Sequence, residues 1–162
     1  MTPPAAAEPA APAALDPGSF RDPSGFVFWR DGRPYRQIQQ SFAAEWDSFA
    51  GSLLERRLIE RERLLPYDPA PLDIAPVPGA HAVIAPERIE FISYPHEWTF
   101  GELRDGALLT LDAQLDALAD GWSLRDASAF NVQFRDCRPI LIDSLSFEPN
   151  EDGTPWVAYR KF

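Results

Sequence analysis

Asp126, Asn131 and Asp143 are the residues of this chain whose types and spacing best fit a chemical site. They lie within residues 122–149, where the chain reads WSLRDASAFNVQFRDCRPILIDSLSFEP. Carboxylate and amide oxygens suit Mg²⁺, and an aspartate beside an acceptor hydroxyl can take up its proton during phosphoryl transfer. The pattern therefore predicts a catalytic role for Asp126 and metal-ligand roles for Asn131 and Asp143.

A simpler interpretation of the same three residues stays open. Asp, Ser and Asn cluster in turns because their side chains bond neighbouring backbone groups, and DASAFN is an ordinary turn composition. Asp143, at the end of a predicted strand, can likewise cap the turn that follows it. Either chemistry or turn formation accounts for each residue taken alone.

The elements around these residues follow from the apolar pattern. Thr99 can cap a helix that Gly121 ends, and two short strands, 131–134 and 139–143, are expected to pair as a hairpin around the polar tip RDCR. The helix has an apolar stripe that we predict to be buried: Phe100, Leu103, Ala107, Leu111, Leu115 and Leu118. The order is therefore helix, loop, strand, turn, strand and then Asp143.

Upstream, alternating residues around Asp31-Gly32 predict a hairpin at residues 25–38. Ser41 is a possible N-cap for one long amphipathic helix that runs to Leu65, with residues 55–63 forming a solvated charged face. Five prolines predict a loop at residues 66–80, and the segments HAVIAP and RIEFISYP predict two short strands. The last residues, PWVAYRKF, have the spacing of a helix that is beginning.

The spacing of the three polar residues resembles that of kinase-like folds, as in the divergent aminoglycoside phosphotransferases, over roughly residues 82–148. Four residues separate Asp126 from Asn131, as in the kinase catalytic loop, and Asp143 arrives after a short hairpin, as the kinase metal aspartate does. The resemblance implies an α+β, kinase-like module with a degenerate N-terminal lobe of β-hairpins and a long helix. Its partial C-terminal lobe would contain a long helix, the catalytic loop and a β-hairpin.

The chain departs from the kinase pattern in several places. Leu124 stands where a kinase usually has histidine, and Ser144-Leu145 replaces Phe-Gly after the metal aspartate. The phosphate-binding lysine has no counterpart, because no lysine precedes Lys161, and there is no GxGxxG loop. Arg36 is a weak substitute, since a strand arginine is not interchangeable with lysine.

A second resemblance rests on four sequence segments: YPHEWTFGELRDGALLTL, LRDASAFNVQF, PILIDSLSFEP and PWVAYRKF. These segments resemble the N-terminal region of a family of bacterial class I SAM-dependent methyltransferases, over about residues 20–162. The resemblance implies SAM as the cofactor of the whole protein and a C-terminal methyltransferase domain, or a separate partner protein, beside this module. The nine glycines include no GxG pair, so the chain supplies no SAM-binding loop of its own.

Composition narrows the class of protein further. A net charge of −10 argues against nucleic-acid binding, and no apolar run approaches the roughly 18 residues of a membrane span. One cysteine suits a reducing cytoplasm.

Residues 1–19, rich in alanine and proline, are expected to form a disordered leader before a single domain, 20–162, that lacks its C-terminal part.

Two functions remain open from the sequence. In the first, the chain is a non-catalytic scaffold or substrate-positioning module of a SAM-dependent methyltransferase, and the loop is kept for folding. In the second, it is an active phosphotransferase or nucleotide-binding domain that uses Mg-ATP at Asp126, Asn131 and Asp143. Whether the chain is an enzyme is undecided at this stage.

Overall fold

An antiparallel sheet of five strands forms the N-terminal half of the chain. The computed structural model describes residues 13–19, 22–151 and 153–162. In the sheet order β1-β2-β3-β5-β4, the strands are β1 (Ala14–Leu15), β2 (Gly25–Arg30), β3 (Arg33–Gln39), β5 (Ala80–Pro86) and β4 (Tyr67–Ala70).

The predicted hairpin at residues 25–38 is confirmed as β2 and β3. Asp31 and Gly32 both have positive φ, 50° and 73°, which suits a two-residue turn between twisted strands. The leader was predicted to be disordered as far as residue 19, yet Ala14 and Leu15 pair with β2. Residues 1–12 of that predicted leader lie outside the described residues.

The prediction of one long helix from Ser41 to Leu65 is wrong. The chain forms two helices, α1 (Ala43–Phe49) and α2 (Leu53–Glu60), and Ser41 lies in a short 3-10 turn rather than at an N-cap. Gly51, with φ of 76°, ends the first helix in a conformation that side chains disfavour. Ser52 then caps α2 by accepting a hydrogen bond from the Glu55 amide.

Two further predictions about the middle of the chain are wrong. The proline-rich stretch contains β4, which is the edge strand of the sheet and pairs only with β5 among the described strands. Pro69 is tolerated there because an edge strand has no second neighbouring strand to which its backbone must donate a hydrogen bond. The segment RIEFISYP forms no strand; it ends in a short 3-10 helix, Pro95–Glu97, and Phe91 is 77% exposed. The strand predicted at HAVIAP is confirmed as β5.

The predicted helix after Thr99 is confirmed as α3 (Phe100–Ala119). Thr99 and Glu102 form a capping box, and Gly121 follows the helix with φ of 79°. The predicted buried stripe is wrong, because its larger members are exposed: Phe100, Leu103, Leu111, Leu115 and Leu118. The face of α3 that packs inward is built instead from smaller residues and one leucine: Gly106, Leu109, Thr110, Ala113, Gln114, Asp116 and Ala117.

Four short strands complete the C-terminal half. The predicted hairpin is confirmed as β7 (Val132–Arg135) and β8 (Arg138–Leu141), and β6 (Trp122–Leu124) pairs with β9 (Phe147–Pro149). A 3-10 helix, Val157–Lys161, stands where the sequence predicted the start of a helix. One core joins both halves; its largest members include Ile38, Phe49, Leu54, Leu124, Leu145 and Phe147.

The charged run at residues 55–63, predicted to be a solvated face, instead holds α2 against α3. Arg57 pairs with Asp120 at 3.2 Å, and both Arg61 and Arg63 pair with the buried Asp116. The α+β class is confirmed, with a strand-rich N-terminal half and a helix, loop and hairpin after it. No helix in the described part of the chain has the length and hydropathy of a membrane span.

Candidate functional site

Asp126 begins the loop that follows β6. Its Oδ1 accepts a hydrogen bond from the Ser128 amide at 3.0 Å, and Ser128 in turn caps the 3-10 turn Ala129–Asn131. The carboxylate is 37% exposed, and the Lys161 ammonium lies 3.6 Å from Oδ1. The residue predicted to be catalytic is therefore accessible, but it also shapes its own turn and faces a cation.

Asn131 and Asp143, the two predicted metal ligands, are joined through Ser146. The Ser146 hydroxyl donates to Asp143 Oδ2 at 2.7 Å and accepts from Asn131 Nδ2 at 3.2 Å. The Ile142 amide donates to the Asn131 carbonyl at 2.9 Å, which fixes the two ends of the β7–β8 hairpin together. The structure thus brings both predicted ligands to one place.

Arg36 occupies the position beside Asp143. It projects from the middle of β3, its side chain is 10% exposed, and its Nη1 donates to Asp143 Oδ1 at 2.6 Å. The same carboxylate oxygen accepts the Leu145 amide at 3.0 Å. Both oxygens of Asp143 are therefore bonded within the protein, one of them to a buried guanidinium.

A second arginine ties the loop to the strand-rich half. Arg125 donates through Nη2 to Ser24 Oγ at 2.7 Å and through Nε to the Leu145 carbonyl at 2.9 Å. Its guanidinium also lies 4.7 Å from the centre of the Phe42 ring, a cation–π distance. Asp22 lies between the two arginines, 3.7 Å from Arg36 and 3.5 Å from Arg125.

These residues line one cleft of about 580 Å³ between the sheet and the loop. Three carboxylates and three cationic side chains face each other there: Asp22, Asp126, Asp143, Arg36, Arg125 and Lys161. The formal charges of these six side chains balance. The cleft is therefore a polar site with paired charges rather than an open acidic one.

As arranged, this donor set does not fit Mg²⁺. Coordination by Asp143 Oδ1 would displace Arg36 and leave a buried guanidinium short of its partner, which is costly. Within the described residues, no three His, Cys, Asp or Glu side chains come together to hold a metal ion. The Arg36 Nε is already buried without a hydrogen-bond partner in the described part of the chain.

Sequence reasoning identified Asp126, Asn131 and Asp143 but gave Arg36 only a weak role and omitted Asp22, Arg125 and Ser146. Arg125 stands next to Asp126, which is the one signal that could have drawn attention to it. Nothing in the sequence pattern links Asp22 to that loop. Only the fold, which lays β3 beside the loop, brings these charges together.

The fold and site define an α+β chain in which a loop and a hairpin follow a long helix, and Asp143, which comes after the hairpin, is paired to an arginine of the five-stranded sheet. No family model matches the chain. It is 40% identical over 147 residues to nodulation protein NoeA of Rhizobium meliloti (strain 1021). The match takes in 90% of this chain and 30% of NoeA, so the chain spans about a third of the length of that relative.

Two solved structures have similar chain traces. The Mycobacterium tuberculosis PknI kinase domain matches with a TM-score of 0.47 and 17% identity, over 86% of this chain and 60% of the kinase domain. A cysteine-to-alanine mutant of that domain matches with a TM-score of 0.44 and 16% identity, over 85% and 61%.

Proposed function

We propose that the chain is a non-catalytic, kinase-like module that acts as a scaffold or substrate-positioning domain for a SAM-dependent methyltransferase. The methyltransferase is either a further domain of the same protein or a separate partner, as the sequence resemblance implies. The proposal assigns the cleft a structural role, in which the catalytic-type loop is held to the sheet by ion pairs.

The observation that carries this proposal is the pair between Arg36 and Asp143. In kinases the metal aspartate holds Mg²⁺ and a strand lysine contacts the nucleotide phosphates. Here a strand arginine turns its guanidinium to the aspartate at 2.6 Å, and the backbone amide of Leu145 and the hydroxyl of Ser146 take the remaining bonds. The two side chains at the positions that contact the nucleotide and its metal in a kinase are bonded to each other in this chain.

An active Mg-ATP-dependent phosphotransferase or nucleotide-binding domain is the second candidate. It is supported by the convergence of Asp126, Asn131 and Asp143 on one cleft, in the order that the kinase signature predicts. Two observations weigh against it: the engagement of Asp143 by Arg36 and the absence of a lysine before Lys161. No SAM-binding loop is present in this sequence, so methyl transfer by this chain alone is not proposed.

A thermal-shift titration separates the two candidates. A ligand that binds only the folded state raises the melting temperature, by an amount that grows with its concentration. We expect the purified chain to show no shift with ATP and Mg²⁺, with ATP alone or with SAM. A shift with Mg-ATP that disappears in Asp143→Ala would contradict the scaffold proposal and establish a nucleotide site.

A further inference from the structure

Two arginines converge on one carboxylate in the cleft. Arg36 Nη2 lies 3.7 Å from Asp22 Oδ2, and Arg125 Nη2 lies 3.5 Å from Asp22 Oδ1. The two arginines come from separate parts of the chain, Arg36 from β3 and Arg125 from the loop after β6. Guanidinium groups that meet in this way are well suited to bind the oxygens of a phosphate or carboxylate group.

The position of Asp22 is set by its own turn rather than by the arginines. Its Oδ1 accepts the Ser24 amide at 2.9 Å. A charge-assisted hydrogen bond from a guanidinium is about 2.8 Å long, whereas both arginine contacts of Asp22 are 3.5 Å or longer. Arg36 Nε is also buried without a hydrogen-bond partner within the described residues. A free oxyanion, which no backbone holds back, can approach the guanidinium groups more closely than Asp22 does.

The two arginines are held in place without Asp22. Arg36 Nη1 lies 2.6 Å from Asp143 Oδ1. Arg125 makes two hydrogen bonds, to a serine hydroxyl and a backbone carbonyl, and its guanidinium lies over the Phe42 ring. These contacts do not involve the Asp22 carboxylate, so the pair of arginines is already positioned for an anion.

The charge of the group depends on Asp22. With it, two arginines face two carboxylates, Asp22 and Asp143, and the formal charges cancel. Without the charge of Asp22, two arginines face Asp143 alone, which leaves one net positive charge. The Arg36 side chain is 10% exposed, so water screens this charge less than at an open surface. The adjoining cleft, of about 580 Å³, has room for a phosphate group.

We infer that Arg36 and Arg125 form an oxyanion site for a phosphate group and that Asp22 closes this site from within the chain, as an autoinhibitory contact. A phosphate group competes with the Asp22 carboxylate for the two arginines, and loss of the Asp22 charge opens the site. Neither Mg²⁺ nor a nucleotide base takes part. The inference rests on the proposed function in one respect, because Asp143 must remain paired to Arg36.

Two matched variants of the complete 162-residue chain test the role of Asp22. Asp22→Asn and Asp16→Asn each remove one negative charge from the N-terminal segment, and asparagine keeps a side-chain oxygen for the backbone amide that each aspartate accepts. Asp16 bonds the Trp29 indole and pairs with no arginine among the described residues. Circular dichroism checks that both variants are folded.

Binding of inorganic phosphate is measured by isothermal titration calorimetry, without metal and at constant ionic strength. We expect Asp22→Asn to bind phosphate at least ~10-fold more tightly than the wild type does, and Asp16→Asn to stay within about 2-fold of the wild type. The reason is that both changes alter the net charge equally, but only one frees the arginines.

A second pair of variants locates the phosphate. In the Asp22→Asn background, Arg125→Gln removes one arginine of the site. Arg138→Gln removes the same charge from an arginine of β8 that does not line the cleft and whose side chain is 79% exposed. We expect Arg125→Gln to weaken phosphate binding at least ~10-fold and Arg138→Gln to leave it within about 2-fold.

Several results would overturn the inference. These are no phosphate binding by Asp22→Asn, equal affinity of Asp22→Asn and Asp16→Asn, wild-type affinity equal to that of Asp22→Asn, and equal weakening by the two arginine variants. Failure of the proposed function is a different result: stabilisation of the wild type by Mg-ATP that Asp143→Ala abolishes.

Discussion

At the scale of single residues, several acidic side chains act as acceptors for buried or partly buried donors. Asp143 accepts from Arg36, and Asp126 accepts from the Ser128 amide. Glu55, 7% exposed, accepts from the Gly51 amide at 2.5 Å and from the Tyr67 hydroxyl. These bonds satisfy groups that would otherwise be buried without partners, so they hold the local backbone in place.

Tyr67 gives a prediction about pH. Its burial and its hydrogen bond to Glu55 raise the pKa of the phenol well above the ordinary value of 10.0. The unfolded chain loses this proton near pH 10 while the folded chain keeps it, so the free energy of unfolding falls as pH rises above 10. Urea unfolding between pH 8 and about 11 should show this fall in the wild type and a shallower one in Tyr67→Phe. Equal slopes would mean that Tyr67 titrates normally.

At the scale of elements, paired charges hold α3 against α2. Asp112 and Asp116 on α3 and Asp120 directly after it lie four residues apart. Three arginines reach them from α2 and the residues after it: Arg57, Arg61 and Arg63. The same spacing places all three carboxylates on one side of the helix. This charged seam leaves the outer leucines of α3 facing away from the protein.

Asp116 should be the most sensitive member of that seam. Asp116→Ala leaves Arg61 and Arg63 without their shared partner, and we expect a loss of ~2 kcal/mol, less than for a fully buried pair because Arg61 is half exposed. Asp105→Ala breaks an exposed pair on the same helix and should cost less than ~0.5 kcal/mol. Chemical denaturation of both variants checks this; a similar cost for the two would show that the seam contributes no special stability.

The elements also show what the sequence could and could not predict. Local signals succeeded: the Asp31-Gly32 turn, the Thr99 cap of α3 and the hairpin after Asn131 are each decided by neighbouring residues. The buried face of α3 was harder to predict, because this helix has apolar residues on two sides and the larger ones are exposed. Small residues such as Ala113 and Ala117 face inward because they let the helix approach the hairpin and α2 closely, a choice that periodicity alone does not show.

At the scale of the whole molecule, ion pairs join the two halves. Arg36 comes from β3, Asp143 follows β8, and their side chains are 10% and 14% exposed. The three polar residues of the C-terminal half were predictable from spacing. Their pairing with Arg36 and Asp22 was not, since contacts between distant segments depend on how the sheet packs against the loop. We propose that this pairing is the role of Asp143.

A double-mutant cycle on this pair tests that claim most directly. The free energy of unfolding is measured for the wild type, Arg36→Gln, Asp143→Asn and the double variant, without ligand and with millimolar Mg-ATP. We predict a coupling of ~2 kcal/mol between the two side chains, the same in both conditions. A coupling near zero would contradict the claim. Stabilisation of the wild type by Mg-ATP that Asp143→Asn abolishes would also contradict it, and would make Asp143 a ligand residue.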